Sequence, residues 1–124
     1  MSIQKIAYFI YFAKDMDRAK AFYTNVLGLK ISADRGAWVQ FEIEGGTFAL
    51  HQSDEEAGNN AAEAGGIIGF HVDNLDGFME ELKAHQVKFQ GEIREERFGR
   101  LLNIFDPDGN IINLLEPAQI AHTH

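Results

Sequence analysis

The chain has 124 residues, enough for one domain and too few for two ordinary ones. Apolar residues make up 45% of it and charged residues 24%, a balance typical of folded soluble proteins rather than disordered ones. Eleven Lys and Arg against nineteen Asp and Glu give a formal net charge of -8. Because so acidic a surface repels phosphate backbones and anionic lipids, we expect neither a nucleic-acid partner nor a membrane partner.

Three features that the sequence lacks limit the class of protein and its location further. The sequence has no cysteine, which excludes disulfides, thiolate metal sites and a cysteine nucleophile. No segment reaches the roughly 18 apolar residues of a membrane-spanning helix. The first residues, 1–5, lack the charged and apolar regions of a signal peptide. Together these observations predict a cytoplasmic protein.

The first half of the chain predicts one strand, one helix and three further strands. The apolar run at 6–12, rich in aromatic and β-branched residues, is typical of a buried strand. Asp15 or Asp17 can cap the helix that follows, and Gly28 suits the left-handed position after its last turn. The three strands are then expected at 30–33, 37–43 and 47–52.

The second half repeats this order after a segment of different character. Residues 53–66 are acidic and small and include no bulky apolar side chain, which predicts a flexible linker. A strand at 67–72, a helix from about 73–76 to His85 and strands at 87–93, 99–105 and 111–115 follow. The order is therefore βαβββ, linker, βαβββ, with Asp17 and Asp76 59 positions apart and Ala49 and Asn113 64 apart.

Strand alternation divides each predicted sheet into two faces. One face is apolar and is expected to pack beneath the helix of its own half. Its members are Phe9, Val39, Phe41, Phe48 and Leu50 in the first half, and Ile68, Phe70, Val72, Ile112 and Leu114 in the second. The opposite faces mix aromatic and polar side chains. Two such sheets curling towards each other would form a concave cleft suited to a small molecule.

Four segments together resemble a known family. They are 6–9, 14–29 (with Phe-Tyr-Thr-Asn-Val-Leu-Gly-Leu), 70–76 and the turn Asp-Pro-Asp-Gly-Asn at 106–110. They are similar to the vicinal oxygen chelate superfamily, which includes glyoxalase I, extradiol dioxygenases, fosfomycin-resistance enzymes and bleomycin-resistance proteins. The resemblance runs from about Ile6 to Pro117. It implies an α+β fold in which two paired βαβββ modules form a half-barrel with a concave cleft. We expect a single domain over 1–124, with modules at about 4–52 and 67–117 joined by the linker at about 53–66.

The resemblance also implies where a metal would be held. Family enzymes place metal ligands on the first and last strands of each half, and the matching positions are Tyr8, Ala49, Ile67 and Asn113. None of these is a standard ligand, so we predict no metal and no cofactor. His51 and His71 lie roughly 7 and 13 Å along their strands from the matching positions. They are interpreted as polar residues at the cleft or as surface histidines, and a displaced metal site built on them is the alternative.

Several further side chains are candidates for contact with a ligand. Trp38 can stack on a planar molecule, although an indole also fills a hydrophobic gap or a dimer contact. Gln40 and Glu42 can hydrogen-bond a ligand or move a proton, or simply solvate the strand. Arg100 can clamp an anion, or serve on the surface. The predicted ligand-binding residues are Tyr8, Trp38, Gln40, Glu42, His51, His71, Arg100 and Asn113, and no catalytic residue is assigned.

Two functions follow from these residues and the resemblance. The first is a small-molecule-binding protein of the glyoxalase/bleomycin-resistance type that lacks the usual metal and holds a small aromatic or amphipathic molecule. The second is a glyoxalase-type lyase, isomerase or dioxygenase that uses an unconventional metal site, or a metal-free acid–base pair such as His51 with Glu42. Exposed sheet edges, together with the family's habit of completing its clefts between subunits, predict a homodimer.

Overall fold

The computed structural model describes residues 2–3, 8–53 and 67–118. Module one (8–53) contains β1 (Phe9–Ala13), α1 (Met16–Ala21), a π-helical turn (Phe22–Val26), β2 (Lys30–Asp34), β3 (Trp38–Ile43) and β4 (Gly46–Gln52). Module two (67–118) contains β5 (Ile68–His71), α2 (Leu75–Ala84), β6 (Phe89–Glu96), β7 (Gly99–Phe105) and β8 (Ile111–Pro117). The predicted βαβββ order is confirmed in both modules. The predicted linker lies outside the described residues except for Ser53.

Each module folds its four strands into one mixed sheet. The strand orders are β1-β4-β3-β2 and β5-β8-β7-β6, so the first strand of each module lies beside the last. That pair is parallel, and the other neighbours are antiparallel. The helix between the first two strands provides the crossover that a parallel pair requires. The predicted α+β class with two repeated modules is therefore confirmed.

The helices begin with the polar caps that the sequence predicts. Asp15, rather than Asp17, caps α1 by accepting a hydrogen bond from the backbone N–H of Arg18 at 3.2 Å. Asn74 caps α2 in the same way through the N–H of Gly77 at 3.1 Å. Gly28 takes the left-handed conformation predicted for it, with φ +79°.

The last turn of the first helix differs from the regular α-helix expected there. The N–H of Leu27 donates to the carbonyl of Phe22 at 3.1 Å, five residues back, which makes this a π-helical turn. Tyr23, within this turn, has a fully buried side chain. The turn therefore delivers a phenol into the interior, where its hydroxyl needs a partner.

The apolar faces of both sheets form one core with the helices. The helix-facing side chains assigned from the alternation are buried at Val39, Phe41, Phe48, Leu50, Ile68, Ile112 and Leu114. Phe9 shares that face but remains 44% exposed, because it is the first residue of β1 and lies at the end of the strand. Phe48 of module one and Phe70 of module two meet edge to face, with ring centroids 6.0 Å apart, so the core is continuous across the modules.

Two buried polar contacts join the modules. The hydroxyl of Tyr11 donates to the carbonyl of Ile111 at 2.6 Å and accepts from the N–H of Ile68 at 2.7 Å. Tyr23 donates to Oδ2 of Asp106 at 2.7 Å. Burial raises the pKa of both tyrosines, so both stay neutral donors. The side chains that hold the modules together thus come from the helix-facing sides, and the opposite faces of the sheets stay open.

Asp106 is the centre of the second contact. Its Oδ1 accepts the backbone N–H groups of Asp108 and Asn110, at 2.9 and 2.8 Å. Its Oδ2 accepts Tyr23 and the side-chain amide of Asn110, at 2.7 and 2.9 Å. That amide also donates to the carbonyl of Phe12 at 3.1 Å. Burial raises the pKa of Asp106, while these four donors pull it back. The turn predicted at 106–110 is therefore also an anchor between the modules.

Helices in the described part of the chain are too short or too polar to cross a bilayer.

Candidate functional site

The open face of module one carries four rings, which we call the aromatic cluster: Tyr8, Phe12, Trp38 and His51. Pairing explains why they meet, because His51 in β4 lies directly between Phe12 in β1 and Trp38 in β3. The ring centroids of Trp38 and His51 are 5.9 Å apart, and those of Phe12 and His51 are 5.7 Å apart. Tyr8 approaches Trp38 edge-on at 5.5 Å.

The aromatic cluster is accessible rather than covered. Tyr8 is 50% exposed and Phe12 is 40% exposed, His51 is exposed, and Trp38 is half-buried. Large rings left in contact with water on one sheet face are more informative than a scattered exposed apolar side chain, because they form a contiguous patch. The arrangement offers ring faces and edges to a planar or amphipathic molecule.

Gln40 fixes the central ring of this cluster. Its Oε1 accepts a hydrogen bond from Nε1 of Trp38 at 2.8 Å, two residues along the same strand and on the same face. Gln40 therefore orients the indole and satisfies its only donor, which leaves the ring surface free for apolar contact.

Glu42 lies away from the cluster. It pairs with Thr47, which is four residues before His51 in β4, roughly 13 Å along the strand. A proton moves between groups in hydrogen-bond contact, or through one water. The strand register therefore keeps Glu42 and His51 apart within the chain, and no observation favours them as an acid–base pair.

The open face of module two has a different character. One row across its four strands consists of Gly69, Asn113, Asn103 and Gln90, each the pairing partner of the next. Nδ2 of Asn113 donates to Oδ1 of Asn103 at 2.8 Å, and Nδ2 of Asn103 donates to Oε1 of Gln90 at 3.0 Å. We call the three amide side chains the carboxamide row.

Only one member of the carboxamide row was singled out from the sequence. The sequence pattern places Asn113 in the cleft and does not identify Asn103 or Gln90. A signal for Asn103 was present: it alternates with the buried Leu102 and Ile104 in β7, so it must point to the opposite face. For Gln90, the edge strand β6 is exposed along most of its length, and alternation there is too weak to assign a face.

Two other predicted residues have separate positions. His71 is exposed in β5, two residues beyond Gly69 and therefore on the open face of module two. Arg100 alternates with Leu101 and lies on the helix-facing side, where its two terminal nitrogens bind Asp76 at 2.9 and 3.1 Å. It also contacts Glu116 at 3.3 Å. Hydrogen bonds from Arg100 lower the pKa of Asp76. Arg100 thus ties β7 to the first turn of α2, and we leave it out of the candidate site.

The four positions that match the family's metal ligands do not fit a metal. The side chain of Ala49 is a fully buried methyl group, and Ile67 has no donor atom. Asn113 and Tyr8 each offer a single neutral oxygen, one from an amide and one from a phenol. Hard divalent cations prefer several carboxylate or carbonyl oxygens, and zinc prefers imidazole or thiolate. Within residues 8–53 and 67–118, no three His, Asp or Glu side chains form a group that could hold a metal.

Comparison with known proteins agrees with this architecture. The family model described as the Glyoxalase/Bleomycin resistance protein/Dioxygenase superfamily matches residues 5–114. The metallothiol transferase FosB of Lysinibacillus sphaericus (strain C3-41) is 26% identical over 113 residues, which cover 89% of this chain and 80% of that protein.

Two solved structures are similar over nearly their whole length. A protein of unknown function from Agrobacterium tumefaciens str. C58 has a TM-score of 0.78 and 26% identity, covering 95% of this chain and 98% of the other. TnmS3, an antibiotic binding protein from Streptomyces sp. CB03234, has a TM-score of 0.73 and 25% identity, covering 95% and 99%. With its two βαβββ modules and this match over most of its length, the chain belongs to the Glyoxalase/Bleomycin resistance protein/Dioxygenase superfamily.

Proposed function

We propose that this protein binds a small planar aromatic or amphipathic molecule on the aromatic cluster, without a metal. The observation that carries the proposal is the exposed, mutually contacting set of rings around Trp38 on an open sheet face. Small-molecule sites are lined mainly by apolar and aromatic side chains with a few placed polar groups, which describes this face. The similarity to TnmS3, an antibiotic binding protein, supports the binding function.

The chemistry of the face also limits the ligand. The ring surfaces favour a flat apolar group, and stacking of one base on an aromatic side chain is worth about 1–3 kcal/mol in nucleic-acid sites. His51 adds one polar edge within the cluster. With a net charge of -8, the protein repels polyanions, so a neutral or cationic molecule is favoured.

We also propose that a second copy of the chain completes the cleft. One sheet face contacts only one side of a ligand, whereas small-molecule sites bury about 70–90% of a ligand's surface. The joint between the modules uses the helix-facing sides, so both open faces stay available to a partner. A homodimer would cover these faces and give each ligand a second wall.

A fluorescence screen tests the binding proposal. Trp38 is the only tryptophan, so a change in emission on adding a planar compound reports contact at the cluster. The affinity of each compound that changes it is then measured by calorimetry on Trp38→Ala, His51→Ala and the control Phe98→Ala. Phe98 is 58% exposed in the turn between β6 and β7, away from the cluster.

We expect Trp38→Ala to cost about 1–3 kcal/mol of binding free energy, because it removes the stacking surface. His51→Ala should cost less, and Phe98→Ala should leave binding unchanged. Binding that survives both cluster variants unchanged would show that the site is elsewhere.

A chelator tests the absence of a metal from this site. The same titrations after treatment with EDTA should give the same affinity and the same melting temperature, because none of the four ligand-type positions offers a suitable donor set. Elemental analysis of protein purified without chelators should find no stoichiometric metal. One Zn, Ni, Fe or Mn per chain, or loss of binding with EDTA, would favour the metal-dependent enzyme instead.

A further inference from the structure

The carboxamide row on module two has a direction. Each amide nitrogen donates towards β6, from Asn113 to Asn103 and from Asn103 to Gln90. A row of donors that all point one way leaves an acceptor at its beginning and a donor at its end. The beginning is Oδ1 of Asn113, which accepts no hydrogen bond from residues 8–53 or 67–118, and it lies beside β5.

This first acceptor lies beside Gly69. Gly69 is the pairing partner of Asn113 in β5, and a methyl group added to it would lie 3.5 Å from Oδ1. The acceptor therefore points along the row towards a residue with no side chain. Gly69 is exposed and Asn113 is half-buried, so this end of the row is reachable from solvent.

Amide geometry determines what the row presents outwards. A planar carboxamide has two N–H groups, one on the same side as its oxygen and one on the opposite side. Along the row, the bond to the next amide can be donated by the N–H on the side opposite the oxygen. The second N–H, and one lone pair of the oxygen beside it, then both point away from the sheet. Each asparagine then offers a donor and an acceptor side by side, the pattern with which Asn reads the edge of adenine in DNA.

We infer that the carboxamide row recognises the cis-amide edge of a planar heterocycle, such as a lactam or an imide. The N–H and C=O of such an edge match the oxygen and N–H of Asn113 in two parallel hydrogen bonds. The inference rests on the proposed function, because it names the polar edge of the molecule whose apolar part contacts the aromatic cluster. The rings on module one then contribute affinity for the ligand, and the amides on module two contribute selectivity.

A matched pair of probes tests this selectivity. 1,8-Naphthalimide has an imide N–H between two carbonyls, and N-methyl-1,8-naphthalimide has the same rings without that donor. Calorimetry on the full chain should show that the wild-type protein binds the N–H imide about tenfold more tightly, since the methylated probe leaves polar groups of the row unpaired.

Two variants separate the row from the rest of the surface. Asn113→Leu keeps the branched shape and the number of side-chain heavy atoms and removes both polar atoms, so it should bind the two probes with equal affinity. Asn25→Leu makes the same change on the exposed turn after α1 and should keep the tenfold preference. A preference that survives in Asn113→Leu would overturn the inference.

A second measurement is independent of the stability of the variants. In the ¹⁵N-labelled wild-type protein, the side-chain NH₂ signals of Asn113 and Asn103 should shift with the N–H imide more than with the methylated probe. Equal affinity of the wild-type protein for both probes would overturn this inference and leave the aromatic cluster as proposed. If neither probe binds, the inference is overturned, and the wider screen on Trp38 decides the proposed function separately.

Discussion

The two modules share a helix-facing side and differ on the open side. Positions 59 apart in the helices, Tyr23 and Leu82, are both fully buried. The open faces, by contrast, differ row by row. The row of Phe12, His51 and Trp38 in module one corresponds to His71, Leu115 and Leu101 in module two. The row of Ala49 and Gln40 corresponds to Asn113 and Asn103. The comparison teaches that equivalent helix-facing positions are buried in both modules, whereas the open face carries a cluster of rings in module one and a row of amides in module two.

The hairpin turns differ as well, and that difference predicts the largest effect. The turn between β7 and β8 contains Asp106, which takes four donors, while the equivalent turn in module one contains the exposed Glu44. Asp106→Ala leaves the hydroxyl of Tyr23 and the amide of Asn110 without this acceptor. We expect a loss of about 3–5 kcal/mol in the free energy of unfolding, measured by urea denaturation.

Glu44→Ala is the matched control for that measurement. It removes a carboxylate from the corresponding turn, where the side chain is exposed, and should change the stability by less than about 0.5 kcal/mol. Equal effects of the two variants would mean that the modules are not anchored through the turn at 106–110.

The hairpins between β2 and β3 and between β6 and β7 also differ, and we expect this difference to have a smaller effect on stability. Gly36, between β2 and β3, and Gly99, at the start of β7, both have positive φ, +80° and +150°. A Cβ on Gly36 meets open space, whereas one on Gly99 would collide with the backbone oxygen of Glu116. Gly99→Ala should therefore cost about 2–4 kcal/mol by thermal or urea unfolding, from backbone strain and the collision together.

Gly36→Ala carries the backbone strain alone and should cost about 1 kcal/mol. If Gly99→Ala costs no more than Gly36→Ala, β8 must shift freely beneath the new methyl group, and the close packing at Glu116 would not be a constraint.

The smallest expected effect concerns acid stability, and here the modules should behave alike. Lys20 binds Asp34 at 2.7 Å in module one, and Arg100 binds Asp76 in module two, each pair linking a helix to its sheet. These hydrogen bonds lower the pKa of both aspartates from the ordinary value of 3.8. A lowered pKa means that the folded state releases its proton more easily than the unfolded state. The stabilisation is therefore present above pH 3.8 and is lost as the pH falls through the folded-state pKa.

Asp34→Asn and Asp76→Asn should each be slightly less stable than the wild-type protein at pH 7. The difference should shrink below pH 3.8, as followed by urea unfolding at a series of pH values. A difference that stays constant down to the acid transition would show that the side-chain charge contributes nothing in either module.

Much of the fold could be predicted because its signals are local. Alternation in β3 and β4 separates Phe41 and Phe48 from Trp38 and His51, and the structure confirms that division. The turn glycine at 28 follows from backbone geometry, and the helix cap could be narrowed to Asp15 or Asp17. Each of these features depends on residues within a few positions of one another.

The rest depends on contacts between distant parts of the chain. Nothing near Tyr23 in the sequence indicates that its hydroxyl meets Asp106, 83 residues away. The contact of Arg100 with Asp76 likewise joins residues 24 positions apart and is set by how α2 lies on β7. The carboxamide row could not be predicted from the sequence, because its three members lie on three different strands and come together only when the sheet forms.

The hydroxyl of Tyr11 has a consequence for how the chain acquires its structure. This hydroxyl accepts a hydrogen bond from the N–H of Ile68 and donates one to the carbonyl of Ile111, as a neighbouring backbone would do. Both residues lie at the start of the parallel strands β5 and β8. A second half synthesised alone would leave those two groups without the partner that the first half supplies. The halves should therefore unfold in one cooperative transition, and two separately produced halves should recover structure only when they are mixed.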